Sequence, residues 1–450
     1  MKKTALLLSA ICLIVNVCFA QDFKITAKIS KMKPQKATLA YYFEDKQYVA
    51  IDSGKIENGS IVFEKQKQLP AGIYCIILKD DAQYFDLLID PNNQIFSLKA
   101  DISDIQKTIK FNGSQLNSDF YDYQRLMTKI ITKQRELDTA KKYETDSLKI
   151  KNIENQLDKI DQEIDNAWQQ TSTAHAGTFL ADVLNCMNAA NYTGQEMFNH
   201  INFAQPGLIR TPFFYNKIRT HIARHIESGA WNINYETDRI INLAAANEDV
   251  YHYVTSYLLN FYRTFYKYGI NEVFVHIADT YFLPDTVKNL NADSRKAIKE
   301  QRDIYNACMP GQIFKDIKLA KTSTGDSIKL SQTTPNAKLL LFWANGCGHC
   351  DSAENALKFY YHDLRKNNIE VISICNDNFS REGIKQNAER KQFPWTDYCD
   401  VKNYSRYREY YYVVSTPLLY FIDKNGRIVQ KTAGEDNITR IAKKLSGNDE

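Results

Sequence analysis

The chain reads as a multidomain α+β protein: a small N-terminal β-sandwich, a central helical region and a C-terminal three-layer α/β/α domain. Three observations predict this. Short runs rich in β-branched and aromatic residues, separated by turn residues, fill 21–115. From 116 to 308 the apolar period lengthens to that of a helix. From 309 to 450 strand and helix patterns alternate and close on a hairpin signal. The length, 450 residues, suits about three domains.

Residues 1–20 precede all three and read as a cleavable signal peptide. Lys2 and Lys3 form a basic start, "ALLLSAICLIVNV" is an apolar core too short to span a bilayer, and Cys18 and Ala20 are small residues at the cleavage positions. Lipid anchoring on Cys18 is poorly served by Val17, which is not small. No later apolar run is long enough to cross a membrane, so the expected location is the periplasm or cell envelope. Two of the nine cysteines leave with the signal. Apart from one close pair the remainder are scattered, at Cys75, Cys186, Cys308, Cys375 and Cys399, and read as buried small hydrophobes. A Cys375–Cys399 bridge has no support from spacing.

In the first domain "FKITAKI", "KATLAYYF", "IVFEKQ", "GIYCIILK" and "YFDLLID" are strand candidates, with "ENGS", "PAG" and "PNNQ" as turns. Several short strands at this spacing suit a sandwich. In the second, Ile153, Leu157, Ile160, Ile164 and Trp168 make one apolar stripe, as in a helical hairpin or short coiled coil. His221 and His225 sit four apart on one helix face, a metal-compatible spacing. No acidic third ligand follows at a recognisable offset and Arg219 and Arg224 crowd the pair, so a solvated basic face is the reading and no metal is expected.

In the third domain "MPGQIF" restarts a β pattern, followed by "SIKL" and the strand "KLLLFWA". After the turn "NGCGHC" come helix ("SAENALKFYYHDLRK"), strand ("IEVISIC"), helix ("REGIKQNAERK"), two strands ("LLYFID", "RIVQKT") and a last helix ("NITRIAKKLS"). Cys347 and Cys350 therefore fall on a strand-to-helix turn. Cys347 sits where unsatisfied N–H groups and the helix dipole favour a thiolate, and His349 beside it adds partial positive charge. Cys350, one turn on, is placed to attack a mixed disulfide formed on Cys347. A structural zinc site wants two such pairs, and this chain has one. Covalent haem wants His after the second cysteine, where Asp351 stands. A disulfide closing so small a loop constrains little of the unfolded chain. Thiol–disulfide chemistry is what the pair implies.

"LLLFWANGCGHC" followed by "VVSTPLLYFIDKNGRIV" resembles the thioredoxin superfamily, and "MPGQIFKDIKLAKTSTGDSIKLSQ" resembles the entry segment of its exported TlpA/ResA-like branch. The resemblance covers about residues 309 to 446. It implies Cys347 and Cys350 as the catalytic pair, Gly348 and His349 as redox-tuning residues, and Thr416, Pro417 and Trp343 as substrate-binding, with a cis bond before Pro417. There are departures. Gly346 replaces the tryptophan that usually precedes the first cysteine, and Leu341 stands where thioredoxin has a buried acid. Glu354 is one residue displaced from the glutamate common in the branch, and a solvated helix residue is its preferred reading. The Gly-His centre matches protein disulfide isomerase and shifts the expected poise toward oxidant or isomerase.

The expectation is an exported thiol–disulfide oxidoreductase that reduces, oxidises or isomerises protein disulfides, with protein thiols and disulfides as partners. It needs no cofactor, and a membrane electron-transfer partner is compatible with it. Net charge is +4 with no dense basic run, which argues against nucleic acid. Two alternatives stand. One is an envelope interaction or scaffold protein whose long upstream part binds a partner, with redox activity secondary. The other is a peroxiredoxin-like peroxidase, which needs Thr or Ser where Ala344 stands.

Overall fold

The computed structural model describes residues 23–33, 35–44, 47–80, 82–188, 196–226, 230–264, 271–284, 287–288, 290–377, 381–400 and 403–447. The expected signal segment, 1–20, lies outside the described residues. The chain divides into two compact units, Met1–His221 with Ala245–Val250, and Ile222–Ala244 with Tyr251–Glu450.

The first unit holds the β-sandwich. Its strands are β1 (Phe23–Ser30), β2 (Gln35–Phe43), β3 (Gln47–Ile56), β4 (Ser60–Lys65), β5 (Gly72–Leu78), β6 (Gln83–Ile89), β7 (Ile95–Asp101) and, after a short helix α1 (Ile105–Thr108), β8 (Lys110–Asn112). They form two four-stranded sheets, β4-β1-β7-β8 and β3-β2-β5-β6. In β1 burial alternates residue by residue, burying Phe23, Ile25, Ala27 and Ile29 on one face while Lys24 and Lys28 stay in water. Strand β5 lies between β2 and β6 and is buried almost throughout.

Ser114 caps the next helix, α2 (Gln115–Tyr143), by accepting from Asn117 N–H, and Asp146 caps α3 (Ser147–Ala174). Their apolar stripes meet through Ile130, Ile160 and Ala167 with Met127, Leu137 and Ile164, the expected helical hairpin. Helices α4 (Phe179–Asn188), α5 (Glu196–Asn199), α6 (Pro212–His225), α7 (Ala230–Ala244), α8 (Glu248–Thr264), α9 (Asn271–Ile277) and α10 (Ala292–Ala307) complete the central region.

The second unit is built on a seven-stranded sheet ordered β10-β9-β13-β12-β11-β14-β15. The strands are β9 (Lys318–Lys321), β10 (Ser327–Lys329), β11 (Ala337–Trp343), β12 (Ile369–Cys375), β13 (Thr396–Cys399), β14 (Leu418–Ile422) and β15 (Ile428–Ala433). Strands β11, β12 and β13 run parallel, β14 runs antiparallel to β11, and β15 runs antiparallel to β14. Helices α11 (Gly348–Lys366), α12 (Arg381–Lys391), α13 (Tyr407–Tyr410) and α14 (Glu435–Leu445) connect and cover them. Strands β11 and β12 are buried nearly end to end because both sheet faces are covered. On one face Leu339, Leu341 and Trp343 pack with Leu357, Ile438 and Ile441 of α11 and α14; on the other Leu340 and Phe342 pack with Tyr407, Tyr411 and Tyr420. Tyr305 of α10 shares a hydrogen bond with Tyr412 at 2.8 Å, tying that helix to the α/β layer.

The structure differs from expectation at two strands. "MPGQIF" gives one isolated bridge, Ile313 to Arg427, because Pro310 lacks an N–H and Gly311 takes φ +93°. Strand β13, "TDYC", carries no period the sequence could show, yet it pairs with β12 inside the sheet.

Candidate active site

Strand β11 runs from the buried centre of the sheet and delivers the chain to the turn that carries both thiols. Gly346 adopts φ +71°, a left-handed backbone that favours glycine, although a Cβ there would meet no atom within 4 Å. Asn345 N–H donates to Asp377 Oδ2 at 2.8 Å, which holds the turn against the end of β12. Cys347 then becomes the N-cap of α11, its Sγ accepting from Cys350 N–H at 3.3 Å. Gly348 opens the helix, with no atom within 4 Å of where a Cβ would stand.

The two thiols differ in access. Cys347 is half-buried, while Cys350 is 0% exposed among Leu339, Ala353 and Leu357. The Cys350 thiol is pushed up to about 12, first by burial and then by its hydrogen bond with Cys347. The Thr416–Pro417 bond is cis, and Thr416 faces the reactive pair. Its carbonyl oxygen lies 3.7 Å from Cys347 Sγ and its Oγ1 lies 4.0 Å away. His349, with 79% of its side chain exposed, places Nδ1 3.0 Å from Glu435 Oε2 at the start of α14. The imidazole therefore has a carboxylate within hydrogen-bond reach.

Three readings need correction. Trp343, expected to contact substrate, is 0% exposed, and its indole N–H donates to Asp397 Oδ1 at 2.8 Å. It supports the turn from beneath because it ends an inward-facing strand. Glu354, read as solvated, is 1% exposed: one turn beyond Cys350 it shares that residue's inward face. Its Oε2 pairs with Lys391 Nζ at 2.9 Å, and its Oε1 is buried with no hydrogen-bond partner. His221, expected on a solvated basic face, is buried edge-on against Phe198 at 4.8 Å.

One functional candidate escaped the sequence. Asp397 on β13 is buried; its Oδ1 accepts from Trp343 and from Ser373 Oγ at 2.5 Å, and its Oδ2 accepts from Thr322 Oγ1 at 2.7 Å. Burial pushes its carboxyl up to about 6 against those three hydrogen bonds. Leu341 leaves the usual acid position apolar, and parallel strand β13, separated from β11 by β12, carries a buried acid instead. The only sequence signal was an Asp among aromatics in "FPWTDYC". Cys375 and Cys399 are register neighbours on β12 and β13, both buried, and no disulfide forms among the described cysteines.

Residues 310–431 match the AhpC/TSA family and residues 23–120 match a domain of unknown function, DUF4369. Among solved structures, a thioredoxin-like protein from Bacteroides caccae is 15% identical, covering 58% of this chain and 92% of its own, with a TM-score of 0.44. The thioredoxin domain of a thiol-disulfide oxidoreductase from Bacteroides vulgatus is 21% identical, covering 31% and 98%, at 0.28. A thiol:disulfide interchange protein from a Bacteroides species is 23% identical, covering 32% and 95%, at 0.28. No curated protein matches. The C-terminal part of this chain is thus a thioredoxin-superfamily domain, preceded by an additional β-rich domain and a helical region.

Proposed function

We propose that the protein is an exported thiol–disulfide oxidoreductase acting on protein disulfides. The reading rests above all on the pairing of an accessible Cys347 at a helix N-cap with a buried Cys350 one turn on, opposite Thr416. In the reducing direction Cys347 thiolate attacks a client disulfide. The new S–S bond joins Cys347 to one client sulfur, and the other client sulfur leaves as a thiolate and takes a proton. Cys350 then loses its proton and attacks Cys347 Sγ. The Cys347–Cys350 disulfide forms, and the second client thiol leaves. Oxidation of a client is the same sequence reversed. The orphaned Oε1 of Glu354, one turn past Cys350, is the candidate acceptor for the Cys350 proton. A backbone segment beside Thr416 presents a carbonyl that an extended client strand recognises.

The peroxidase reading is disfavoured, since Ala344 offers no hydroxyl to the turn and a second cysteine follows at once. The deciding experiment is a Cys350→Ser trap in cells. Covalent, dithiothreitol-sensitive adducts on Cys347 with protein clients support the reading. Adducts absent, with rapid hydrogen peroxide turnover by the wild-type protein, overturn it in favour of the peroxidase.

A further inference from the structure

The first unit carries a cavity of about 430 Å³ between strand β6 and helix α2, away from the thiols along the chain. Its lining includes Asp86, the three tyrosines Tyr84, Tyr121 and Tyr123, and the apolar Met127 and Met187. Asp86 is the unusual member. Its Oδ1 accepts from Tyr42 O–H at 2.9 Å, and among the described residues no Lys, Arg or His pairs with the carboxylate. Arg125, on the same helix as Tyr121, is taken by Asp122 at 2.7 Å. Removal from water pushes the Asp86 carboxyl up to about 6, as a carboxylate without a counter-charge requires.

A carboxylate facing an aromatic-lined hollow is half of an ion pair, and the rings supply a second attraction for a cation through their negative faces. With Oδ1 holding the Tyr42 hydroxyl, Oδ2 is the less occupied oxygen, which suits the compact charge of an ammonium over the bidentate fork of a guanidinium. The Gln106–Gln124 amide pair, bonded at 2.7 Å, adds neutral polar groups to the same wall. The methionines suit a methylene stem.

We propose that this cavity of the N-terminal domain binds an alkylammonium group, with Asp86 as its counter-ion and Tyr84, Tyr121 and Tyr123 as its aromatic walls. Such a group comes from a lysine side chain on a protein or from a free aliphatic amine. The site stands independently of the thiol chemistry.

Calorimetric titration of the full chain tests it with four probes: 1,5-diaminopentane, an Nα-acetyl-lysine amide, its Nε-acetylated analogue and 1-pentanol. Saturable binding of the charged probes, at least tenfold tighter than of the two neutral ones, is expected. Asp86→Asn should weaken it at least tenfold. Tyr84→Ala, at a residue 56% exposed and with its fold checked by circular dichroism, should weaken it several-fold. Tighter binding of the lysine amide assigns the site to proteins, and tighter binding of the diamine assigns it to free amines. Equal affinity for charged and neutral probes, no saturable binding, or unchanged affinity in a folded Asp86→Asn protein overturns the proposal. If Asp86→Asn does not fold, the charged-against-neutral comparison and Tyr84→Ala decide alone.

Discussion

Cys347 and Cys350 are chemically the same residue made different by one turn of helix. Cys347 caps α11 and meets solvent, whereas Cys350 faces Leu357 and the sheet. Iodoacetamide should therefore modify Cys347 at least a hundredfold faster than Cys350 at neutral pH, followed by peptide mass spectrometry. Comparable rates would show that the second thiol is open and would remove the nucleophile–resolver distinction. His349 and Glu435 form the second contrast. Replacing His349 by Pro removes the imidazole next to the reactive turn, so the dithiol form loses a polar neighbour and the protein should become more reducing. Glu435→Gln removes the negative partner at 3.0 Å and should shift the potential the other way. Each shift is expected within about 30 mV, a tenfold change in equilibrium, because both side chains meet solvent. Equilibration with glutathione measures both, and shifts of the same sign contradict the electrostatic account.

Where α11 meets α12, the thiol helix is anchored by charge. Lys391 bonds Asp351 and Glu354, and its Nζ lies 5.4 Å from the centre of the Trp343 ring. Glu354 is buried, so the pair is unlike the exposed ion pairs elsewhere, which contribute little. Lys391→Met leaves a buried carboxyl without its partner and should cost roughly 3 kcal/mol in urea unfolding. The double variant Lys391→Met with Glu354→Gln should recover most of that loss, since the uncompensated charge is gone. No recovery would mean that Lys391 acts through its packing on Trp343 instead. Burial of Glu354 raises its carboxyl as well, which suits a group asked to accept a proton beside a thiol.

For the whole molecule, buried acids set the response to pH. Asp397 binds its proton more tightly in the folded chain than in the unfolded one, where its ordinary value is 3.8. The stability it contributes is complete below that value and is lost as pH climbs toward about 6, then stays level. Asp86 behaves the same way in the same window, so the wild-type curve alone does not separate them. The difference between wild type and Asp397→Asn does. Relative to wild type, the variant should gain on the order of 1–3 kcal/mol between pH 4 and pH 6. Parallel curves would mean that the three hydrogen bonds to Asp397 fully offset its burial. No helix among the described residues is long and apolar enough to cross a membrane.

Local pattern carried most of the elements and the reactive pair. Period-two runs marked the β-sandwich strands, the Ile153–Trp168 stripe marked the α2/α3 hairpin, and the Cys347–Cys350 spacing between an apolar run and a helix marked the site. These signals are short-range, so the chain alone determines them. What the fold decided depends on distance between segments. Trp343 and Glu354 are buried because α11 lies on the sheet and Lys391 of α12 packs against both, and no local pattern states which face of an all-apolar strand meets a helix. Asp397 reaches Trp343, Ser373 and Thr322 only because β13 pairs with both β12 and β9. Glu435 reaches His349 only because α11 and α14 share a sheet face. The cysteine pair was written in the sequence; the carboxyls around it were placed by strand order and helix packing.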